Sequence, residues 1–100
     1  MNHTDFYVLD NDKKVMKVTI ASNAAAIEHY KESVLYPFYG RDSVTIEEVT
    51  AFLESRCFDK SRRDKDDLLS YLGLASYDVW AIVRKTNGKM AHDHLSVEFV

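Results

Sequence analysis

Two stretches of strictly alternating apolar and polar residues lie near opposite ends of the chain. In residues 16–20, methionine, valine and isoleucine alternate with lysine and threonine, and in residues 95–99, leucine, valine and phenylalanine alternate with serine and glutamate. A period of two is typical of a β-strand with one buried face. We expect a C-terminal strand this apolar to pair in a sheet, most simply with the N-terminal strands, and this pairing constrains the rest of the fold.

The first alternating stretch predicts the second strand of a β-hairpin. Residues 6–9, which precede it, are rich in the aromatic and β-branched types that favour a first strand. Between the two strands, residues 10–14 (DNDKK) are types that occur often in turns.

The next stretch, residues 22–36, predicts a helix. It begins with a serine–asparagine cap signal and three alanines, which are strong helix formers. Ile27, Tyr30 and Val34 fall on one face at helical spacing. The helix should end before Pro37, because the residue before a proline is pushed out of the helical conformation.

Three further helices are predicted between residues 45 and 88. Their expected N-terminal caps are Thr45, Ser61 and Ser76, the first two followed three residues later by an acidic residue. Gly73 and Gly88 should end the second and third of these helices, because glycine readily adopts the left-handed conformation that terminates a helix.

These elements occur in the order β-β-α-α-α-α-β. The sequence therefore predicts an α+β fold in which a small antiparallel sheet, made of the N-terminal hairpin and the C-terminal strand, packs against about four helices. The chain has 100 residues, of which 46% are hydrophobic and 29% charged. We expect residues 1–100 to form a single domain with one core.

The composition also bears on location and partners. A single cysteine, Cys57, excludes an internal disulfide and fits a reducing compartment. The N-terminus lacks the features of a signal peptide, and no apolar run approaches the ~20 residues that span a bilayer. We therefore expect a cytoplasmic protein with no membrane partner. The net charge of -3 argues against a chain built to coat nucleic acid.

Few residues point to catalysis. Cys57 follows Arg56, a cation that can activate a thiol, but a small, half-buried cysteine is more usual at the end of an amphipathic helix. The three glycines are isolated, which argues against a phosphate-binding loop, and no G-x-S-x-G motif is present. We predict that the protein is not an enzyme and needs no cofactor.

Two histidines flank an aspartate shortly before the last strand. On an extended chain His92 and His94 point to the same side and could chelate one metal ion, but zinc needs at least a third protein ligand, and none is found at ligand spacing. The preferred interpretation is that Asp93 accepts hydrogen bonds from backbone or from an arginine while the histidines are solvated. We predict no metal site.

A basic stretch lies between the second and third predicted helices. It contains Arg56, Lys60, Arg62, Arg63 and Lys65, interrupted by two aspartates. It is either a solvated connection with local ion pairs worth little or an anchor for a phosphate or carboxylate of a partner, which the planar guanidinium group suits. For the second case the expected contacts are Arg56, Lys60, Arg62 and Arg63.

Two runs, residues 52–74 (FLESRCFDKSRRDKDDLLSYLGL) and residues 82–94 (IVRKTNGKMAHDH), together resemble a small domain associated with HipA-like bacterial kinases, the toxin proteins of HipBA-type systems. The N-terminal hairpin also suits that domain, so the resemblance spans nearly the whole chain. The residues that carry the pattern are Arg56, Arg62, Leu69, Leu72, Gly73, Gly88 and Asp93.

The resemblance implies a non-catalytic domain that stands apart from the kinase core. Gly73, Gly88 and Asp93 would be structural residues, and Asp93 would pair with Arg56 or Arg62 rather than bind a metal. The chain departs from the family pattern at position 96, where a serine replaces the usual tryptophan. In related tripartite systems a domain split off in this way looks like the antitoxin.

Three functions are therefore open at this point. The first is a regulatory protein that binds and modulates a partner protein, a HipA-like kinase of a toxin–antitoxin system. The second is a phage- or mobile-element-encoded inhibitor of a host defence nuclease, comparable to an anti-CRISPR protein. The third, direct binding of nucleic acid through the basic stretch, is not favoured by the negative net charge. The acidic contacts of a nuclease inhibitor would be Asp64, Asp66, Asp67, Glu47 and Glu48.

The sequence leaves two structural questions open. Residues 35–40 (LYPFYG) form an aromatic loop whose side chains either pack onto the domain or form a binding surface. The oligomeric state is not specified, and an exposed sheet edge would allow dimerisation by strand pairing.

Overall fold

The computed structural model describes residues 3–100, which form an antiparallel five-stranded sheet and three helices. The strand order across the sheet is β4-β3-β2-β1-β5. The α+β class is confirmed, and so are the N-terminal hairpin and its pairing with the C-terminal strand. The elements are β1 (Phe6–Asp10), β2 (Lys13–Ala21), β3 (Ala24–His29), β4 (Ser43–Thr45), α1 (Ile46–Glu54), α2 (Lys65–Leu72), α3 (Val79–Thr86) and β5 (Leu95–Phe99).

The predicted helix at residues 22–36 is wrong. Residues 24–29 instead form β3, which pairs with β2 on one side and β4 on the other. Ala25 and Ile27 are buried while their neighbours are exposed, as in a strand with one covered face. Pairing on both sides outweighs the helix propensity of three alanines. The protein therefore has two more strands, and one helix fewer, than the sequence predicted.

A β-bulge in β2 shapes the path of the chain after β3. Val8 pairs with Met16 and Leu9 with Lys14, so Val15 is an extra residue without a partner in β1. The Val15 carbonyl oxygen instead accepts hydrogen bonds from the backbone N–H groups that follow β3, at residues 30 and 31 (2.9 and 3.2 Å). The bulge thereby fixes where the loop of residues 30–42 leaves the sheet.

The helix N-termini follow the sequence prediction at one of three positions. The Thr45 hydroxyl accepts a hydrogen bond from the Glu48 N–H (3.1 Å), as predicted. Ser61 is not a cap, because α2 begins four residues later and the Ser61 hydroxyl donates to the Asp59 carboxylate instead (2.8 Å). At α3 the cap is Asp78 rather than the predicted serine, since the Asp78 carboxylate accepts from two N–H groups of the first turn.

At the helix C-termini, Gly73 follows α2 with φ 76°, as predicted. For α3, Asn87 takes the position just after the helix (φ 59°), one residue before the predicted Gly88.

Helices α1 and α3 pack on one face of the sheet. Phe6, on strand β1 between β2 and β5, contacts the rings of Phe52 from α1 and Trp80 from α3, and it also meets Phe99 on β5. In α2, by contrast, Leu69 is the only fully buried residue. The core is therefore a layer between the sheet and two helices, with α2 attached at its margin.

The aromatic loop divides between the two interpretations that the sequence left open. Tyr36 belongs to the core and donates a hydrogen bond to the Asp10 carboxylate (2.7 Å), and Phe38 packs against Phe52 of α1. Leu35 and Tyr39 are exposed. Tyr36 and Phe38 thus anchor the loop, while Leu35 and Tyr39 face the solvent.

None of the helices in residues 3–100 has the length and apolar character needed to cross a membrane.

Replacement of Trp80 by alanine should lower the free energy of unfolding by about 3–5 kcal/mol, because it removes a fully buried ring from the centre of the core. Urea denaturation followed by circular dichroism measures the change. The matched control is Tyr71→Ala on α2, where 88% of the side chain is exposed and the change should stay within about 0.5 kcal/mol. Equal effects of the two substitutions would contradict this packing.

Candidate functional site

Arg56 lies two residues after the end of α1 and is buried, with 6% of its surface exposed. Its Nε donates to the Gly88 carbonyl oxygen (2.7 Å). Nη1 and Nη2 donate to the two carboxylate oxygens of Asp93 (2.7 and 2.9 Å), and Nη2 also donates to the Leu95 carbonyl oxygen (3.0 Å). The arginine therefore joins α1, the loop after α3 and strand β5, and we call these residues the Arg56 network.

This network confirms the predicted pairing of Asp93 with an arginine. It also accounts for Gly88, whose φ is 60°. A side-chain Cβ at this position would lie 3.3 Å from both Arg56 Cβ and Val97 Cγ2. Glycine suits the position both because it accepts the left-handed conformation and because it leaves room for the arginine.

The pKa of Asp93 lies well below its ordinary range. The hydrogen bonds from Arg56 are the largest cause, and the N–H of Leu95 and the electrostatic interactions with Arg56 and His92 add to them. His92 is exposed, with Nε2 3.4 Å from Asp93 Oδ2. In residues 3–100 no three histidine, cysteine, aspartate or glutamate side chains converge in a way that could hold a metal ion. Both Asp93 oxygens are engaged by the guanidinium group.

The network also covers the outer edge of β5. The Leu95 N–H donates to Asp93 Oδ1 (3.1 Å), while the Leu95 carbonyl accepts from Arg56. Two residues on, the Val97 N–H donates to the Asn87 carbonyl (2.7 Å) and the Val97 carbonyl accepts from Asn87 Nδ2 (3.3 Å). Strand pairing with a second molecule at these positions would have to displace these contacts, so the edge is protected against strand addition.

Of the four predicted partner contacts, the structure corrects Arg56, because its guanidinium group is buried and hydrogen-bonded within the fold. Lys60, Arg62 and Arg63 are exposed, and we call them the exposed basic stretch. Arg62 Nε lies 2.7 Å from Asp64 Oδ1 in a half-exposed pair, which contributes little to stability. Their role as partner contacts stays a prediction.

The acidic residues considered for a nuclease inhibitor do not all present free carboxylates. Glu48 pairs with Arg41 (3.3 Å) and Asp64 with Arg62. The other three lie in the first turns of α1 and α2, where the helix dipole favours negative charge.

Cys57 is held as a neutral thiol. Its Sγ lies 3.3 Å from the Leu53 carbonyl oxygen and 3.8 Å from that of Val79. Burial, followed by the negative charges of Glu54 and Asp78, raises the pKa of Cys57 to about 12. The environment therefore disfavours the thiolate that a nucleophile requires.

A cleft of about 290 Å³ lies beside the exposed basic stretch. Arg56 and Cys57 form part of its lining, which contains three cations and no carboxylate. We call it the basic cleft. Its other lining residues are Phe58, Arg62, Ile82, Thr86, Lys89 and Met90.

Sequence reasoning missed the basic cleft because its walls come from segments that are distant along the chain. Of its lining residues, the sequence singles out Arg56 and Arg62 as partner contacts and Cys57 as a possible nucleophile. Lys89 and Met90 follow Gly88 directly, and the one available signal was a basic and an apolar residue next to a predicted turn.

Comparison with known proteins gives no relative for this chain. No protein-family model matches it, no curated protein matches it, and no solved structure shows a significant similarity. The resemblance to the HipA-associated domain therefore rests on the sequence pattern alone.

Replacement of Asp93 by asparagine should lower the free energy of unfolding by about 2–3 kcal/mol near neutral pH, because it leaves a buried guanidinium group without its counter-charge. The folded-state pKa of Asp93 is depressed, so its stabilisation is fully present above the unfolded pKa of about 4 and is lost as the pH falls through the folded value. The difference between wild type and variant should therefore shrink as the pH falls below about 4.

The matched control for this measurement is Asp64→Asn, which removes the carboxylate partner of the exposed Arg62. Urea denaturation over a pH series should show a change below about 1 kcal/mol for this control. A loss as large as that of Asp93→Asn, or a loss that does not depend on acidic pH, would contradict the assignment.

Cys57 should react with iodoacetamide about a thousandfold more slowly in the folded protein than in the urea-unfolded protein near pH 8, because so little thiolate forms. Mass spectrometry of quenched samples measures the two rates. The folded rate should rise with pH without a plateau below about pH 11. Equal rates in the two states would show that the thiol is accessible and ionised.

Proposed function

We propose that this protein is a small, non-enzymatic regulator that binds and modulates a partner protein, a HipA-like kinase of a toxin–antitoxin system, through the exposed basic stretch. The observation that supports this most is the Arg56 network. Three residues of the sequence pattern, Arg56, Gly88 and Asp93, come together there although up to 37 positions separate them. These residues of the sequence pattern therefore form one interacting cluster in this fold.

The backbone around the exposed basic stretch supports a role in recognition. The Arg62 N–H donates to the Asp59 carbonyl oxygen (3.1 Å), and the Lys65 N–H donates to the Arg62 carbonyl oxygen (3.1 Å). The Asp59 carboxylate accepts from both the N–H and the hydroxyl of Ser61 (2.8 Å each). A loop ordered by its own hydrogen bonds loses less conformational entropy when it binds.

The side chains of this region are of types suited to an interface. Arginine and tyrosine are enriched among residues that contribute most of the binding energy. Arg62 and Arg63 are exposed before α2, and Tyr71 on α2 has 88% of its surface exposed. The state of Cys57, partly buried with a raised pKa, supports a protein that acts by binding rather than by nucleophilic catalysis.

The test is a binding measurement by biolayer interferometry between the purified protein and a HipA-like kinase encoded beside its gene. Wild type should bind the kinase and change its autophosphorylation. Lys60→Glu and Arg62→Glu should each weaken binding at least about tenfold, since each reverses a charge at the proposed contact. The matched control is Lys13→Glu, the same charge reversal at an exposed position on the hairpin, which should bind as wild type does.

Circular dichroism and urea denaturation verify that each variant is folded. If the wild-type protein neither binds nor affects the kinase, the proposed function is wrong. If the kinase binds Lys60→Glu, Arg62→Glu and Lys13→Glu equally well, the exposed basic stretch is not the contact.

A further inference from the structure

We infer that the basic cleft receives an acidic segment of the partner protein, with an aliphatic side chain inserted in the cleft and carboxylates beside Arg62 and Lys89. This inference rests on the proposed function and adds to it the chemistry of the partner segment. It also extends the contact surface to the loop after α3, for which the sequence predicted structural residues but no partner contact.

The charge of the cleft favours carboxylates. Its lining contains Arg56, Arg62 and Lys89 and no acidic residue. Arg56 is neutralised by Asp93 and lies beneath the surface, while Arg62 and the exposed Lys89 are within reach of a ligand. The single carboxylate paired with Arg62, that of Asp64, is itself half exposed, so a partner carboxylate can share or replace it.

The apolar part of the lining favours an aliphatic anchor. Phe58 and Met90 provide its accessible apolar surface, since Ile82 is completely buried. The cleft volume of about 290 Å³ is at the small end of ligand sites, which suits side chains rather than a large cofactor. Met90 is half buried, and the thioether is a flexible group that adapts to different apolar shapes.

The arrangement is less suited to nucleic acid. Base recognition on single strands uses aromatic faces for stacking. The one aromatic ring in the lining, that of Phe58, is in an edge-to-face contact with Tyr77, whose hydroxyl also donates to the Phe58 carbonyl oxygen (2.6 Å). An acidic peptide uses the cations and the apolar lining together.

The Arg56 network holds one wall of the cleft in place. Lys89 and Met90 lie between Gly88 and Asp93, and Arg56 binds both of those residues. The segment that carries the two lining residues is thus anchored at each end by one buried guanidinium group. A wall positioned before binding reduces the entropy lost on association.

The test uses protein labelled with ¹³C at the methionine methyl groups and a short synthetic peptide of alternating glutamate and leucine. The chain has three methionines. Met90 lines the basic cleft, and Met16 is completely buried in the core and serves as the internal reference. The Met90 methyl resonance should shift saturably with peptide concentration while that of Met16 does not.

Two variants, two further peptides and an oligonucleotide make the result specific. Lys89→Glu should raise the Kd of the glutamate–leucine peptide at least about tenfold, and Lys13→Glu should leave it unchanged. A glutamate–alanine peptide should bind more weakly because it lacks the aliphatic anchor, and a lysine–leucine peptide should not shift Met90. A thymidine oligonucleotide should not shift Met90 either.

Several outcomes would overturn the inference. These are an absent Met90 shift with the glutamate–leucine peptide, an equal shift with the lysine–leucine peptide or the oligonucleotide, or equal affinity for the glutamate–alanine peptide. Equal binding of the kinase by wild type and Lys89→Glu would also overturn it while leaving the proposed function intact. If the kinase is not bound at all but the peptide response is as expected, the proposed function fails and the basic cleft remains an acidic-peptide site.

Discussion

The buried guanidinium group of Arg56 is the interaction on which the rest of this structure depends. A cation removed from water is costly unless opposite charge and hydrogen-bond acceptors surround it. Here two carbonyl oxygens and both oxygens of Asp93 supply these contacts, and they come from the loop after α3 and from β5. The energetic need to satisfy one side chain therefore fixes how the C-terminal third of the chain returns to the sheet.

The sequence could predict those parts of the fold that local patterns control. The terminal strands alternate with period two, and a threonine followed by a glutamate three residues later does start α1. The alanine-rich segment could not be assigned in this way, because its strand conformation depends on partners on both sides. Alanine has a high helix propensity, so the local sequence favours a helix there, and only the tertiary pairing reverses that preference.

The same limit applies to the candidate site. Arg56 and Arg62 are indistinguishable as charges in a basic stretch, yet one is buried and the other exposed. The difference arises from residues 32 to 39 positions further along the chain, which local charge patterning does not reveal. The pattern-based expectation that Asp93 pairs with an arginine was informative because it joined two positions that are distant in sequence.

The bulge at Val15 bears on which surface positions of this protein can change without disturbing the core. The Val15 carbonyl accepts hydrogen bonds from two successive N–H groups at the start of the following loop, in which Tyr36 joins the core and Phe38 packs against Phe52 of α1. A loop tethered through alternate residues can change its outward side chains without disturbing its inward ones. Positions such as Leu35 and Tyr39 thus offer the molecule a surface on which new specificities can arise at little cost to folding.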